Sequence, residues 1–268
     1  MQTIKRFVAG TVIVSVILGC AACTSGDPVV TTSVVPETDA SQTTETEVTT
    51  AASSESPDAT EIEIINFDPG QQEYANIIVS NFAEQFITDF DWQDASVAQL
   101  LDFVHMFLKI NSPDSISYET KGEVTYETFS FEEAHDVVVK HIGIFMSDVG
   151  LEGLQAPPDS HGDHAAGPYY EDEMIWYEAA DGEAHNLVAI VDSAINNFDG
   201  TITLKFTIYA IDMDTYSEIN SDGLREYYRM TADQAASDTT LAKVISGNAV
   251  VSVGQNGEYY MLSYHTDK

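Results

Sequence analysis

The stretch TITLKFTIYAI, from Thr201 to Ile211, alternates without a break. Ile202, Leu204, Phe206, Ile208 and Ala210 fall on one side of an extended chain, with polar or aromatic residues between them. Successive side chains of a strand point to opposite faces, so a period of two marks a strand with one face packed and the other at least partly wet. The same period extends over Met174–Glu178, Ala184–Ile195, Val244–Val253 and Glu258–His265. The dipeptides Asp181-Gly182, Asp199-Gly200 and Asn256-Gly257 punctuate these runs, and such pairs suit the tight turns of β-hairpins. From Tyr169 onward the chain therefore reads as an antiparallel meander.

Upstream the period changes to that of a helix. Asp68 precedes Pro69, and Gln71 completes a capping box. Tyr74, Ile77, Ile78, Phe82 and Phe86 then recur at helical spacing. A second helix starts at Ser96 with Gln99 as its box partner. Val97, Leu100, Leu101, Val104, Phe107 and Leu108 form its single apolar stripe, and Asn111 and Pro113 end it. A third starts at Ser130 with Glu133, runs through Ala134, Val137 and Val138, and stops near Gly143. Ser117 to Phe129 reads as a short extended segment around Lys121-Gly122. Helices first and strands after predict an α+β fold, with N-terminal helices packed on one face of a C-terminal antiparallel β-meander. Cystatin-like and NTF2-like architectures are built this way and can enclose a pocket; that comparison concerns shape and carries no function.

The chain organises into three parts: 1–19, 20–62 and a single acidic domain over 63–268. Lys5 and Arg6 precede thirteen uncharged, mostly apolar residues, Phe7 to Gly19. A helix that long covers roughly 20 Å against a bilayer core of about 30 Å, so the run suits the apolar region of an export signal rather than a span. It ends in Val16-Ile17-Leu18-Gly19-Cys20, which resembles a lipobox: apolar residues, a small residue, then the cysteine that takes lipid. Cys20 is the expected acceptor and Cys23 the alternative, since Cys23 has Cys20 rather than an aliphatic residue three positions before it. The chain has only these two cysteines, so the domain has no internal disulfide and no thiol nucleophile. Thr, Ser, Ala and acidic residues dominate from 24 to 62, without an aromatic. Such a segment buries too little apolar surface to offset its ordering entropy and predicts a disordered spacer with a reach on the order of 35 Å.

The domain carries 36 acidic and 8 basic residues, a formal net charge of −28. Nucleic-acid binding rests on Lys and Arg neutralising phosphate and is excluded on that ground. Direct adsorption of the domain to anionic lipid is disfavoured for the same reason.

Three stretches carry a family likeness: NIIVSNFAE (76–84), LDFVHMFLKIN (101–111) and YYEDEMIWYEAADGE (169–183). They resemble uncharacterised extracytoplasmic lipoproteins of Firmicutes. The resemblance covers roughly 65 to 265, implies an anchored location at the outer face of the cell membrane, and implies no activity or catalytic residue.

Among residues that carry chemistry, His161, Asp163 and His164 stand out in a long loop of about 146 to 168. Two histidines at i, i+3 with a carboxylate between them offer nitrogen and oxygen ligands to Zn²⁺ or another divalent metal. The spacing matches no zincin motif, and a solvated loop accounts for the same residues. His105, His135 and His141 lie on the helices as boundary histidines. Tyr169, Tyr170, Trp176 and Tyr177 cluster around one hairpin, either packing against helices or forming a glycan-stacking platform. Asp212 to Glu218 alternates oxygen ligands but lacks the glycine and terminal glutamate of an EF-hand loop. The nucleophile elbow, the phosphate-binding loops and the zincin motif are all missing from the sequence. The expectation is a non-catalytic domain on a lipid anchor that binds a small-molecule ligand or a protein partner and needs no cofactor. A metal-dependent hydrolase using the His161/Asp163/His164 loop is the alternative.

Overall fold

A computed structural model describes residues 63–146, 148–162, 166–180 and 185–268. Cys20, Cys23, the spacer, Asp163, His164 and the Asp181-Gly182 turn lie outside the described residues.

Helices α1 (Pro69–Ala83), α2 (Val97–Asn111) and α3 (Phe131–Ile142) each begin at the expected capping box. The side chains of Asp68, Ser96 and Ser130 accept the N–H three residues on, and Gln71, Gln99 and Glu133 accept the return bond. Each cap satisfies helix donors that have no internal partner and contributes about 1 kcal/mol. Gly143 ends α3 at φ 76, the left-handed conformation that a side chain disfavours. α1 stops at Ala83, one turn short of the sequence expectation. Phe86 (φ 56) lies beyond it, half-exposed beside His185 rather than in the core.

The meander consists of β7 (Leu187–Asn196), β8 (Thr201–Ile211), β9 (Leu241–Val253) and β10 (Tyr259–Thr266). Two short strands from the helical half extend it: β1 (Glu63–Ile65) pairs with β7 and β2 (Asp89–Asp91) with β10. The resulting six-stranded antiparallel sheet has the order β1-β7-β8-β9-β10-β2. Its inner face presents Ile202, Leu204, Phe206 and Ile208, all buried, to the helices. Phe82 of α1 packs among Phe90, Phe103 and Tyr264, and Phe206 stacks on Tyr264 at 4.9 Å between centroids.

Met174–Glu178 does not join this meander. It forms β6 of a second, four-stranded antiparallel sheet with β3 (Ser117–Lys121), β4 (Val124–Ser130) and β5 (Tyr169–Glu171), in the order β3-β4-β6-β5. Both faces of β6 are buried, which requires cover on two sides: Ile175 and Tyr177 join the main core, while Trp176 packs with Val124, Tyr126 and Tyr169 on the outer side. The expected extended segment at 117–129 is thus a hairpin, turning at Gly122 (φ 61). A Cβ there would fall 1.8 Å from the carbonyl oxygen of Asp159, so only glycine fits.

The connection between β8 and β9 holds three short helices, α4 (Met213–Glu218), α5 (Ser221–Tyr228) and α6 (Ala232–Ser237). They place Tyr227 and Ala235 over Val188, Ile190, Tyr209 and Ile211, so part of the sheet's outer face is covered as well. Segments of six to eight residues are too short to display a helical period in the sequence. Asp212 is the N-cap of α4, its carboxylate accepting the N–H groups of Asp214 and Thr215 rather than opening a calcium loop.

β1 covers β7 only over Ala194–Asn196, leaving the rest of that strand's edge without a strand partner. α1 supplies the missing bonds from a polar row spaced by four residues. Ser80 Oγ accepts the Ala189 N–H at 2.8 Å and donates to the Ala189 carbonyl. Asn76 Oδ1 accepts the Val191 N–H at 2.8 Å, and Gln72 donates to the Val191 carbonyl. The Asn76 amide also donates to the carbonyls of Tyr228 and Met230, which ties α5 to the same seam. An edge strand that would otherwise invite pairing by another chain is closed by a helix.

Candidate functional site

The long loop that carries His161 is held against the second sheet. Tyr126 donates its hydroxyl to the Pro158 carbonyl at 2.7 Å, the Glu123 N–H bonds Asp159, and the Glu178 N–H bonds Ala166. His161 itself is mostly exposed, with Nδ1 at 3.0 Å from Glu178 Oε1. Asp163 and His164, the other two expected ligands, lie outside the described residues. Among the described residues no group of three or more His, Cys, Asp or Glu is arranged to hold a metal ion. Of the two readings open for the hairpin aromatics, packing accounts for Tyr169, Trp176 and Tyr177, which are buried, and Tyr126 meets Tyr169 and Trp176 edge-on.

The helix histidines differ in their surroundings. His135 is half-buried with Nδ1 at 3.3 Å from the Met146 carbonyl. His141 is buried against Phe103 and Phe107 with neither ring nitrogen hydrogen-bonded. Burial, helped by the neighbouring charge of Lys140, holds its pKa down to about 4, so it is neutral at physiological pH.

His105 belongs to the most connected polar cluster. Asp102, His105 and Lys109 sit at i, i+3 and i+7 on α2, one face of the helix, and that face meets the inner side of the second sheet. Glu127 of β4, only 2% exposed, receives His105 Nε2 at 2.7 Å and Lys109 Nζ at 2.9 Å on one oxygen, and the Tyr118 hydroxyl at 3.3 Å on the other. A carboxylate can only accept, so His105 Nε2 carries the proton. The imidazole stacks on Tyr177 at 4.0 Å, and Tyr177 donates to Asp102 Oδ1 at 2.8 Å. Burial lowers the pKa of His105, with Glu127 opposing and Lys109 adding to the effect. His105, Lys109, Glu127 and Tyr177 are each partnered within the cluster, and the arrangement clamps α2 to the sheet.

Glu127 was not identified from sequence, and Tyr177 only as one of the hairpin aromatics. A period of two does place Glu127 on the same inner face as Phe129, and Lys109 with His105 one turn apart on α2 were the complementary signal. Glu84, also missed, continues the four-residue row of α1 beyond Gln72, Asn76 and Ser80. It is 2% exposed; Oε1 accepts the Tyr228 hydroxyl at 2.5 Å, and Oε2 has no hydrogen-bond partner. Burial, partly offset by that hydroxyl, raises its pKa to about 7.

On the surface, a cleft of about 240 Å³ opens between β2 and the first turns of α2. Ile87, Phe90, Phe103 and Met106 give it an apolar lining, with Gln99 and Asp102 as polar groups. Asp102 lies at the exposed mouth with Oδ1 already fixed by Tyr177, and desolvation raises its pKa. A second cleft of about 260 Å³ shares Asp89, Phe90 and Gln99 with the first and is bordered by Asp91, Asp94 and His265. No lysine or arginine lines either cleft.

Compared with known protein families, curated proteins and solved structures, the chain has no match in any of the three. Among the described residues no helix is long and apolar enough to cross a membrane.

Proposed function

We propose that this chain is a lipid-anchored extracytoplasmic binding protein, held at the membrane through Cys20 and engaging a ligand or protein partner through the surface of the 63–268 domain. The observation that carries binding over catalysis is the filling of the main sheet's inner face. Phe82, Phe103, Phe206 and Tyr264 occupy the space where a curved sheet of this kind would hold a substrate chamber. His105 and Lys109 of α2 are taken up by the buried Glu127 of β4, which leaves recognition to the surface. The lipobox at Val16–Cys20, the spacer behind it and the likeness to Firmicutes lipoproteins support the anchored location. The domain's formal charge of −28 speaks against nucleic acid as a partner.

Metabolic labelling with palmitate tests the anchor. The wild type and Cys23→Ser are expected to take label and Cys20→Ser to lose it; an unlabelled wild type, or a labelled Cys20→Ser, Cys23→Ser double variant, would contradict it. A zinc titration separates the metal-dependent alternative. The melting temperature is expected to stay unchanged, whereas a rise that disappears in a His161→Ala, His164→Ala variant would favour the hydrolase.

A further inference from the structure

We propose that α4, α5 and α6 form a pH-sensitive cover, latched to the end of α1 through the Glu84 carboxyl, which loosens from the outer face of the main sheet when that carboxyl ionises. The inference goes beyond the binding function above and stands without it. The segment is built to move as a unit. Its two ends are pinned together where the Asp212 N–H donates to the Thr240 carbonyl at 2.8 Å. Its underside rests Tyr227 and Ala235 on Val188, Ile190, Tyr209 and Ile211, an apolar cluster separate from the main core. Short helices with closed ends and a small cluster of their own open at a lower free energy than the whole domain. Loosening would uncover those four apolar side chains of the sheet.

The ties to α1 respond differently to pH. Asn76 donates to the carbonyls of Tyr228 and Met230 and carries no charge. Glu73 pairs with Arg225 and Arg229 at 2.6 and 3.1 Å; its bond from Arg225 holds it below the usual carboxylate range, so that tie keeps its charges. Glu84 is buried, with Oε1 bonded by the Tyr228 hydroxyl and Oε2 without a hydrogen-bond partner. Tyr228 of α5, Tyr216 of α4 and His185 ahead of β7 face it. His185 Nδ1 donates to the Glu84 carbonyl at 2.9 Å, a bond that both charge states of the ring can make. Among the described residues no lysine or arginine offsets the carboxylate, and burial raises its pKa to about 7. In the loosened state the carboxyl meets water and regains its ordinary 4.5. Opening therefore becomes about tenfold more frequent per pH unit between 4.5 and 7, and levels off above.

Hydrogen exchange of the full-length protein, read by mass spectrometry and corrected for the intrinsic effect of pH, tests the cover. From pH 5 to pH 8 peptides spanning 213–237 are expected to lose protection by about fiftyfold, and at pH 8 to exchange well ahead of those from β8. Glu84→Gln is expected to hold 213–237 at one level of protection across that range. Tyr228→Phe removes the bond that favours the carboxylate, so it is expected to keep the rise in opening and to level off at higher pH than the parent. A parent whose 213–237 protection does not change with pH, or a Glu84→Gln that keeps the parent's rise, would overturn the latch. Equal protection of 213–237 and β8 at pH 8 would overturn a cover that moves by itself. Should Glu84→Gln fail to fold, Tyr228→Phe decides: a profile that levels off no later than the parent's contradicts the role of Glu84.

Discussion

α1 and α2 are both fifteen-residue helices opened by a capping box, and both bury a row of polar side chains, but they satisfy that row by opposite means. α1 uses neutral amides and a hydroxyl, Gln72, Asn76 and Ser80, and pairs them with the backbone of β7 and the end of α5. α2 uses charges, and pairs Lys109 and His105 with the buried carboxylate of Glu127. The first solution replaces a strand, because the unpaired N–H and C=O groups of β7 accept any well-placed donor or acceptor. The second clamps two layers together and leaves nothing to spare. Where the same row passes the end of α1 and reaches a carboxyl, at Glu84, one oxygen goes without a hydrogen-bond partner and burial raises the pKa to about 7.

The contrast predicts different costs for breaking each row. The largest effect is expected from Glu127→Ala, which leaves the part-buried Lys109 without its counter-charge and the buried His105 Nε2 without its acceptor, and is expected to cost about 3 to 5 kcal/mol. Urea denaturation reads it, and a loss under 1 kcal/mol would mean that the α2 clamp is slack. Asn76→Ala strips partners from the Val191 N–H and two carbonyls at once, with an expected cost of about 2 to 3 kcal/mol by the same measurement.

Glu84→Gln is expected to act in the other direction. The folded protein keeps a proton on Glu84 up to about pH 7, while the unfolded chain releases it near 4.5. Stability from this group therefore falls as pH rises between those values and stays reduced above them. A neutral glutamine removes that loss, so the variant is expected to exceed the parent by about 3 kcal/mol at pH 8 and to match it at pH 4.5. His141 supplies the opposite slope. Its folded pKa of about 4 lies below its ordinary 6.5, so its contribution is complete above about pH 6.5 and is lost as pH falls towards 4. The two groups oppose one another across nearly the same window, and Glu84→Gln is expected to expose the rising profile of His141. A pH-independent difference between variant and parent would show that Glu84 is ionised throughout. The smallest effect belongs to Ser96→Ala, which removes one cap of α2 without touching its clamp, at about 1 kcal/mol in the melting curve.

The caps and the turns were legible in the sequence because each rests on a local pattern: Asp68 with Gln71, Ser96 with Gln99, Ser130 with Glu133, and Asn256-Gly257 at the β9–β10 turn. The alternation of Thr201–Ile211 likewise placed Ile202, Leu204, Phe206 and Ile208 inward as observed, while Ala210, beyond a register shift after Ile208, is only part-buried. What escaped depends on partners far along the chain. Met174–Glu178 has the composition of a meander strand, and only its pairing with β4 assigns it to the second sheet. The polar row of α1 carries no signal in the sequence because its partners lie more than a hundred residues away on β7. Phe86 continued the helical period of α1 on paper, but its left-handed backbone ends that register. Of the candidate site, the α2 residues and their spacing were visible, whereas the cleft depends on β2, a strand of three residues that only its pairing with β10 reveals.

Amide hydrogen exchange at Ala189 and Val191 tests most directly whether α1 stands in for a strand. Both N–H groups are expected to exchange as slowly as those in the centre of β8, and Ser80→Ala is expected to speed Ala189 by roughly tenfold or more while leaving β8 unchanged. Fast exchange at both positions in the parent protein would contradict it and leave the edge of β7 open.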